Sequence, residues 1–506
     1  MLSSGRSLLL SGLAAGLMAL LFCSCNVPDP VPAATSTLDQ TATPVLPTAT
    51  PTTAPTATCT PLPDYLQIAP EDLSGTGLTL RYNLDGDVRG RLEEMVTLFN
   101  DENPYGITVR AVRANSADEL HRQLSGEDPG ETDLVIAGSA WLRSLNADKS
   151  LLLDVSAFLD TPETALKRDD ITELMQVMLA SEVRDEGTYA IPLWAEPSFL
   201  FYNKTWAIEL GYPDTPADLA SFAEQVCAAG RANYQDKDNG KHGTGGWIVS
   251  SAPEDAMSWL LIFARNGETP GTILREDTGE IFTETAIWLR NLFDNGCAWN
   301  SRVKEPYDYF ANRYALFYSG TYLDAERQYN AFEQSETHGF DNWDLVVYPV
   351  RSDDPEITPR IYGSITSAAI TAGTDARRTA AAWQFIRWLY QGTHAAELSL
   401  AAKGWPVQDN DEITKLYRRS GEDKLYQTLS YRQYLVSNDA DENWLTDQRI
   451  LSDGFDYIFN PSSRQEDIPG IWEQIGSIIA EINSINDLSE SSTSEEIIET
   501  GGNYEK

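Results

Sequence analysis

From residue 78 onwards, the chain alternates between short apolar runs and longer stretches whose apolar residues recur every three or four positions. The short runs predict strands, which in the first part of the chain are residues 78–83, 107–112 and 134–137. The longer stretches predict helices with one apolar stripe, which in the first helix consists of Leu92, Met95, Val96 and Phe99. Ser116 and Glu119 have the spacing of a capping box and predict the start of the next helix. This alternation is typical of a parallel sheet covered by helices.

The second part of the chain continues the pattern. Its short apolar runs predict strands at residues 199–203, 315–318 and 345–348. Its amphipathic stretches predict helices at residues 205–210, 218–229, 256–266, 284–295, 377–390 and 394–402. Gly211 and Gly296 directly follow two of these stretches, where glycine commonly ends a helix. The pattern predicts an α/β protein, and about 420 residues between its two ends predict two lobes.

The N-terminus has the pattern of a bacterial lipoprotein signal peptide, predicted at residues 1–24. Its apolar run at residues 8–22 is too short for a comfortable transmembrane helix. Cys25 follows an apolar residue, Phe22, and a small residue, Ser24, and this resembles the lipobox whose cysteine receives a lipid. We expect Cys25 to anchor the protein on the extracytoplasmic face of the cell membrane, at an outer surface or in a periplasm. Ordinary secretion with a free Cys25 thiol is the alternative.

Two segments have compositions that cannot build a core. Residues 25–63 are almost entirely Pro, Thr, Ala and Ser, which predicts a disordered, extended tether between the lipid and a folded domain. Residues 486–506 are rich in Ser and Glu and predict a disordered acidic tail. The folded part is therefore expected between these two segments.

The charge balance narrows the choice of partners. The chain has 76 acidic and 37 basic residues, and its net charge is −39. Nucleic acid and anionic lipid surfaces would be repelled, so neither is an expected partner. The acidity fits a soluble extracytoplasmic surface and leaves open a cationic ligand such as a polyamine.

The five cysteines divide by position. Cys23 lies in the signal peptide, Cys25 is the expected lipid acceptor and Cys59 lies in the tether. Cys227 and Cys297 remain in the folded part, and export would place them in an oxidising compartment. We predict a disulfide bond between them, and two buried free thiols are the alternative.

Four segments, in this order, resemble extracellular solute-binding protein family 1, the family that includes maltose-binding protein. They are residues 92–109 (LEEMVTLFNDENPYGITV), 189–204 (YAIPLWAEPSFLFYNK), 312–322 (NRYALFYSGTY) and a stretch from Ser367 through 381–389 (AAWQFIRWL) to 404–407 (GWPV). None of these segments is specific alone. Their order and spacing after a lipobox and a tether indicate the family.

The resemblance implies a two-lobed, periplasmic-binding-protein-like fold of class II, with a hinge and a ligand cleft between the lobes. Lobe one is expected at residues 74–195 plus 349–405, and lobe two at residues 196–348 plus 406–485. The resemblance also implies a monomer that captures a sugar or oligosaccharide and delivers it to the permease subunits of an ABC transporter. It implies no enzymatic reaction, cofactor or metal. Closure of the lobes would shield the ligand from water.

Ligand-binding residues are expected at the C-terminal ends of strands, where open α/β sheets bind ligands. A sugar needs flat aromatic side chains against its C–H face and polar groups for its hydroxyls. The candidates are Asn83, Asp85, Ser139, Trp141, Trp194, Glu196, Trp247, Trp259, Tyr322, Tyr362, Gly363 and Ser364. The resemblance puts Glu196 close to the position of a ligand-binding acid. Core packing is the alternative for the aromatic candidates, above all for Trp259 on an amphipathic helix.

The sequence leaves two other functions open. One is an exported glycoside hydrolase that uses two carboxylates as an acid–base pair, although no spacing supports such a pair. The other is a binding protein for a solute other than a sugar, such as a polyamine. The chain has neither H-E-x-x-H nor G-x-S-x-G, and residues 236–240 lack the glycine and glutamate of an EF-hand loop, so no metal site is expected.

Overall fold

The computed structural model describes residues 62–125, 132–147, 151–166, 172–184, 187–250, 252–265, 267–276, 279–300, 305–351, 358–436 and 443–482. The predicted signal peptide, Cys25, Cys59 and the predicted tail lie outside these ranges, as does the tether except for its last two residues. Within the described ranges, no helix combines the length and the apolar composition needed to cross a bilayer.

The described elements follow the predicted alternation of strands and helices. The strands are β1 (Gly77–Tyr82), β2 (Thr108–Arg113), β3 (Leu134–Gly138), β4 (Val183–Arg184), β5 (Gly187–Thr188), β6 (Ile191–Pro197), β7 (Phe199–Asn203), β8 (Gly245–Ile248), β9 (Ala298–Trp299), β10 (Ala315–Gly320), β11 (Trp343–Val346), β12 (Gly363–Ile370) and β13 (Trp405–Pro406). The helices are α1 (Gly86–Glu102), α2 (Ala117–Leu124), α3 (Ser139–Ala147), α4 (Ser156–Asp160), α5 (Glu173–Ala180), α6 (Lys204–Glu209), α7 (Leu219–Gln235), α8 (Pro253–Phe263), α9 (Pro270–Glu276), α10 (Glu280–Asp294), α11 (Tyr307–Ala311), α12 (Ala325–Gln334), α13 (Ala376–Leu389), α14 (His394–Ala401), α15 (Asp411–Arg419), α16 (Asp423–Thr428) and α17 (Trp444–Ile458). Residues 468–482 are also helical.

The first sheet has the strand order β13-β6-β12-β3-β1-β2. β1 pairs in parallel with β2 and with β3, which confirms the parallel arrangement predicted for the first part of the chain. β12 runs antiparallel to β3 and β6, and β13 runs antiparallel to β6. The first sheet is therefore mixed. Its strands β12 and β13 join it after the chain has passed through the second sheet.

The second sheet has the strand order β11-β7-β10-β8-β9. β8 pairs in parallel with β10 and β9, whereas β7 runs antiparallel to β10 and β11. Residues of β7 and β8 are buried on both faces, because helices cover both sides of this sheet. The two sheets thus form separate layers, each with its own helices.

A single residue, Ser198, separates the last residue of β6 in the first sheet from the first residue of β7 in the second. Its backbone N–H donates to the carbonyl oxygen of Tyr362 at 2.9 Å. Tyr362 directly precedes β12, where the chain re-enters the first sheet. Two chain crossings between the sheets therefore lie side by side.

Helix α8 shows how the second core is built. The sequence predicted a helix at residues 256–266, and the helix begins earlier because Pro253 occupies its first turn, a position that proline favours. All its residues from Asp255 to Phe263 are buried, since α8 contacts both α10 and α17. A helix buried on all sides has an apolar surface all round, with no polar stripe to face solvent.

The segments after β13 divide between the two cores. Ile413 and Tyr417 of α15 share an apolar cluster with the first sheet, whereas Trp444 of α17 and Trp472 lie in the cluster of the second sheet. α16 also contacts β11 of the second sheet. The cluster that contains α15 also includes residues of β7, β10 and β11, so α15 and α16 lie where the two cores adjoin.

The capping box predicted at the start of α2 forms only in part. Ser116 Oγ accepts the backbone N–H of Glu119 at 3.1 Å, as predicted. The Glu119 carboxylate, however, accepts the backbone N–H of Asn115 at 2.8 Å, one residue before the N-cap. Asn115 also donates its side-chain amide to the same carboxylate oxygen, which explains the shift.

Cys227 and Cys297 lie on neighbouring elements of the second lobe. Cys227 is in α7 and Cys297 directly precedes β9. Their Sγ atoms are 1.97 Å apart, close to the bond length of a disulfide.

Candidate functional site

A cavity of about 310 Å³ lies beside the crossing from β6 to β7. The first sheet contributes Glu196 and Ser364 to its wall, and the crossing itself contributes Ser198. The second sheet and its helices contribute Ser250, Ala252, Glu254, Asp255, Ser319, Gly320, Thr321, Leu323, Asp324 and Tyr348. The cavity therefore lies between the two sheets and takes its wall from both.

Asp255 forms the buried floor of this cavity and is 3% exposed. The Tyr348 hydroxyl donates a hydrogen bond to Oδ1 of Asp255. Oδ2 accepts no hydrogen bond from the residues that the structure describes. Burial raises the pKa of Asp255 to about 7, and the charge of Glu254 adds to this rise, while the Tyr348 and Ser319 hydroxyls and the Trp259 indole act against it.

The position of Asp255 follows from the start of α8. Carboxylates are favourable in the first turn of a helix, where the backbone N–H groups are unpaired and the dipole is positive. Glu254 and Asp255 occupy this turn. Because the following residues of α8 are all buried, Asp255 is held in the interior, where an exposed helix would have left it in water.

Glu196 and Glu254 lie on different walls of the cavity. Glu196 accepts a hydrogen bond from the Trp194 indole N–H at 2.9 Å. Burial raises the pKa of Glu196, the Trp194 hydrogen bond acts against the rise and the Glu254 charge adds to it. Burial likewise raises the pKa of Glu254. The three carboxylates Glu196, Glu254 and Asp255 are therefore all harder to ionise than in water.

Asp324 is the fourth acid of the wall and has a structural role. It accepts the Tyr307 hydroxyl at 2.6 Å and the backbone N–H of Thr321 at 3.0 Å. Gly320 leaves the room for this turn, since a Cβ at Gly320 would lie 2.5 Å from Asp324 Oδ2. The carboxylate thus fixes the loop that follows β10.

Two of the candidates predicted from the sequence, Glu196 and Ser364, line the cavity. Four aromatic candidates lie in the core and are not part of its wall: Trp194, Trp247, Trp259 and Tyr362. Trp247 is on β8, which lies between its paired strands β10 and β9 in the second sheet. Trp259 is on α8, where every residue from Asp255 to Phe263 is buried. The predicted aromatic platform is therefore absent from the described wall of this cavity, because these four rings are buried in the core.

Trp247 shows how these core rings contact the wall. Its indole N–H lies 3.3 Å from Ser319 Oγ, and Ser319 lines the cavity. The Trp247 ring packs against Trp259, with 5.0 Å between the ring centroids. Trp259 in turn packs edge-on against Tyr348, the residue that donates to Asp255.

The remaining candidates also lie elsewhere. Tyr322 is 2% exposed, and its hydroxyl donates to Glu422 at 2.6 Å. Asp85 is exposed and forms an ion pair with Arg113. Asn83 lies next to the backbone of Ala114 and Ala117, at the start of α2.

Ser139, Trp141 and Gly363 have packing roles. The Ser139 hydroxyl lies 2.8 Å from that of Ser367 inside the first lobe. Trp141 packs, partly buried, against the small apolar cluster on the outer side of the first sheet. Gly363 opens β12, and a Cβ there would lie 3.2 Å from the Cα atom of Pro197.

Sequence reasoning missed the acids of the second lobe, Glu254 and Asp255, and the hydroxyl groups of Ser198, Ser250, Ser319 and Thr321. A signal for Asp255 was present, because it is followed by a run of eight mainly apolar residues in the same helix. An acid inside such an apolar helix cannot face solvent easily. The hydroxyl residues carried no comparable signal.

A second concave region, of about 620 Å³, lies between α1, α14 and the end of α15. Both of its described basic side chains are paired: Arg91 with Glu94 and Glu397, and Lys403 with Glu422. This groove therefore differs from the cavity between the sheets, whose acids have no basic partner among the lining residues that the structure describes. Within the described ranges, no three His, Cys, Asp or Glu residues are grouped so that they could hold a metal ion.

This arrangement, two α/β lobes with a polar cavity at their crossing, is the architecture of a solute-binding protein. Residues 94–412 match the family model described as bacterial extracellular solute-binding protein. This match covers more than half of the chain, and the chain belongs to this family. The resemblance predicted from four sequence segments is thereby confirmed.

Solved structures of sugar-binding proteins share the fold. MalE from Xanthomonas citri aligns with a TM-score of 0.64 at 16% identity, covering 81% of this chain and 99% of that chain. The cyclic α-maltosyl-1,6-maltose-binding protein of Arthrobacter globiformis aligns with a TM-score of 0.62 at 14% identity, covering 80% and 99%. An ABC transporter solute-binding protein from Agrobacterium radiobacter K84, in complex with ribitol, aligns with a TM-score of 0.56 at 15% identity, covering 81% and 99%. No curated protein sequence matches the chain.

Proposed function

We propose that this chain is the substrate-binding subunit of an ABC importer, and that it captures a carbohydrate in the cavity between its lobes and delivers it to a membrane permease. The observation that carries the proposal is a cavity walled by both lobes at their crossing, lined with hydroxyls and carboxylates. Membership of the extracellular solute-binding family supports capture without a chemical reaction.

The chemistry of the wall supports a ligand rich in hydroxyl groups. Carboxylate oxygens accept hydrogen bonds from sugar hydroxyls, and Ser and Thr hydroxyls donate or accept as the ligand requires. The volume of about 310 Å³ lies at the small end of the range for ligand sites, which favours a short ligand. The structural relatives named above include proteins that bind a cyclic maltosyl sugar and ribitol.

Calorimetric titration with mono- and disaccharides and polyols tests the proposal. The full chain carrying Cys25→Ala would be used, so that it can be purified without lipid. We expect one carbohydrate to bind, and we expect Glu196→Gln to weaken that binding at least tenfold, because Glu196 lines the cavity. Glu94→Gln, in the second groove, is the matched control and should bind like the parent.

Two results would contradict this reading. Binding of a solute without hydroxyl groups, together with no binding of any carbohydrate, would remove the carbohydrate assignment. Cleavage of a bound sugar that is lost in Glu196→Gln would show a glycoside hydrolase instead. Mass spectrometry of the recovered ligand distinguishes capture from cleavage.

We expect the two proposed lobes to close toward each other when the ligand binds. Lobe one comprises residues 74–195 plus 349–405, and lobe two comprises residues 196–348 plus 406–485. Small-angle X-ray scattering of the monomer is expected to show a smaller radius of gyration with the bound ligand than without it. An unchanged radius at saturation would contradict closure.

Membrane anchoring through Cys25 is part of the proposal. Expressed in a bacterial host, the full chain should enter the membrane fraction and incorporate a labelled fatty acid, whereas Cys25→Ala should do neither. Retention of Cys25→Ala in the membrane fraction would contradict a lipid anchor at this residue.

A disulfide bond between Cys227 and Cys297 is also proposed, and their separation of 70 residues along the chain makes the closed loop long. Reducing this bond should lower the free energy of unfolding by about 2–5 kcal/mol. The comparison uses the chain that carries both Cys25→Ala and Cys59→Ser. Once the signal peptide is removed, Cys227 and Cys297 are its only cysteines. Two free thiols in a titration of the unfolded, unreduced protein would contradict the bond.

A further inference from the structure

Among the described residues, the acids of the cavity wall share that wall with no basic side chain. Glu196, Glu254, Asp255 and Asp324 all line the cavity, and the lining residues that the structure describes include no Lys, Arg or His. A carboxylate removed from water loses hydration, and hydrogen-bond donors or a cation must offset that loss. The four acids of the wall differ in how many such partners they have.

Asp324 and Asp255 show the two extremes. Asp324 receives the Tyr307 hydroxyl from α11 and the backbone N–H of Thr321 from its own loop. Asp255, which is only 3% exposed, receives the Tyr348 hydroxyl on Oδ1. Oδ2 has no described donor in normal hydrogen-bond geometry, and the Ser319 hydroxyl and the Trp259 indole nearby lower the pKa of Asp255 only in part. Asp255 lines the cavity, so a solute bound there lies against its carboxyl group.

Three of the acids act on one another. The charge of Glu254 raises the pKa of both Glu196 and Asp255, so the three groups lie within electrostatic reach. Like charges repel more strongly where water is excluded. A neutral hydroxyl would fill one acceptor position but would leave this repulsion in place, whereas a cation would remove it.

We propose that the captured solute carries a protonated amine, which binds between Asp255, Glu254 and Glu196. A primary ammonium offers three N–H donors in a compact group, which suits a wall that carries three carboxylates. This inference rests on the proposed function and narrows it, since the hydroxyls of an aminated carbohydrate would meet the Ser and Thr side chains of the wall. The same ammonium chemistry could come from a polyamine, and the experiment separates these two sources.

The test compares matched ligands by calorimetric titration of the full chain carrying Cys25→Ala at pH 7.5. One pair is glucosamine and glucose, and the other is putrescine and 1,4-butanediol, so that each pair differs in amine against hydroxyl. We expect at least one amine to bind about 100-fold more tightly than its hydroxyl counterpart, and its affinity to fall as salt is raised.

The outcomes separate the two proposals. Tighter binding of glucosamine supports both the amine and the carbohydrate. Tight binding of putrescine alone supports the amine and overturns the carbohydrate. Equal or tighter binding of glucose overturns the amine and leaves the proposed function standing, and absence of binding by all four probes counts against both.

Variants of the wall test whether charge is recognised. Asp255→Asn and Glu254→Gln keep the shape of the side chains and should each weaken amine binding about 30-fold, while the affinity for the neutral partner changes less than about threefold. Asp101→Asn, an exposed acid of α1, is the control and should leave both affinities unchanged. Equal weakening of amine and neutral ligand by Asp255→Asn, with cooperative unfolding retained, would overturn the assignment.

Discussion

Glu182 and Asp255 are two buried acids, each 3% exposed, in different lobes. Glu182 accepts the Ser367 hydroxyl at 2.7 Å, and Ser139 extends this network at 2.8 Å. Burial raises the pKa of Glu182, while the positive charge of Arg143 and the two serines act against the rise. Within the described part of the chain, one oxygen of Asp255 forms no hydrogen bond of normal geometry, and no basic side chain lines its cavity.

The difference separates a structural acid from one prepared for a ligand. The partners of Glu182 come from the fold itself, so folding alone compensates for its burial. The partners of Asp255 are incomplete until something enters the cavity. Burial and a raised pKa are common to both residues, and the hydrogen-bond partners distinguish them.

The largest expected effect is on the structural acid. Glu182→Ala should lower the free energy of unfolding by about 3–5 kcal/mol, because it leaves Arg143 and two serine hydroxyls without their buried partner. Urea unfolding at pH 7 measures this loss. A change below about 1 kcal/mol would mean that the Glu182 network does not stabilise the first lobe.

The opposite sign is expected for Asp255→Asn without ligand. At pH 8 this change should raise the free energy of unfolding by about 2–4 kcal/mol, because the carboxylate is ionised in both folded and unfolded states and only the folded state buries it. Urea unfolding beside the exposed control Asp101→Asn provides the measurement. Destabilisation by Asp255→Asn would place Asp255 with Glu182 as a structural acid.

The pH dependence sharpens this contrast. A carboxyl whose folded pKa is about 7 and whose unfolded pKa is 3.8 stabilises the fold fully below the lower value, and this stabilisation is lost as pH rises through the higher one. The difference in unfolding free energy between Asp255→Asn and the parent should therefore be small at pH 4 and grow up to about pH 7.5. Glu254 and Glu196 titrate in the same direction and broaden the change, because their charges interact with one another. A difference that is constant with pH would contradict the raised pKa.

The smallest effect concerns the hydroxyl partners. Ser367→Ala should cost about 1–2 kcal/mol, because it removes a buried donor to Glu182. Ser364→Ala should cost less than about 0.5 kcal/mol, because Ser364 lines the cavity and water can replace its hydroxyl. Thermal unfolding of the two variants gives the comparison, and equal losses would show that the cavity is as dry as the core.

Most of the fold could be predicted from the sequence, because apolar periodicity determines which residues can form each core. The predicted ends of β1, β2 and β3 agree with the structure to within one residue. The four residues of the apolar stripe predicted for α1 are all buried. The antiparallel entry of β12 was not predicted, since pairing direction depends on where the chain returns and no local pattern encodes it. In the same way, no local pattern encodes which lobe the segments after β13 join.

The site was harder to predict than the fold. Glu196, which was predicted because its segment resembles the family, lines the cavity. Trp247 and Trp259, which were predicted as aromatic platforms, are buried in the core, because an aromatic ring suits a sugar face and a core equally well. Asp255 was missed because an acid in the first turn of a helix is ordinarily explained by the helix dipole. Only the contacts of Tyr348 and the open Oδ2 distinguish it.

The single-residue crossing at Ser198 has a geometric consequence. When two rigid bodies turn about a pivot, points near the pivot move little and distant points sweep long arcs. In the proposed closure, a pivot at Ser198 would leave Glu196, two residues away along the chain, almost fixed while the outer rim travels. An arriving solute would therefore meet its polar contacts already in place, and selection by size would be left to the moving rim.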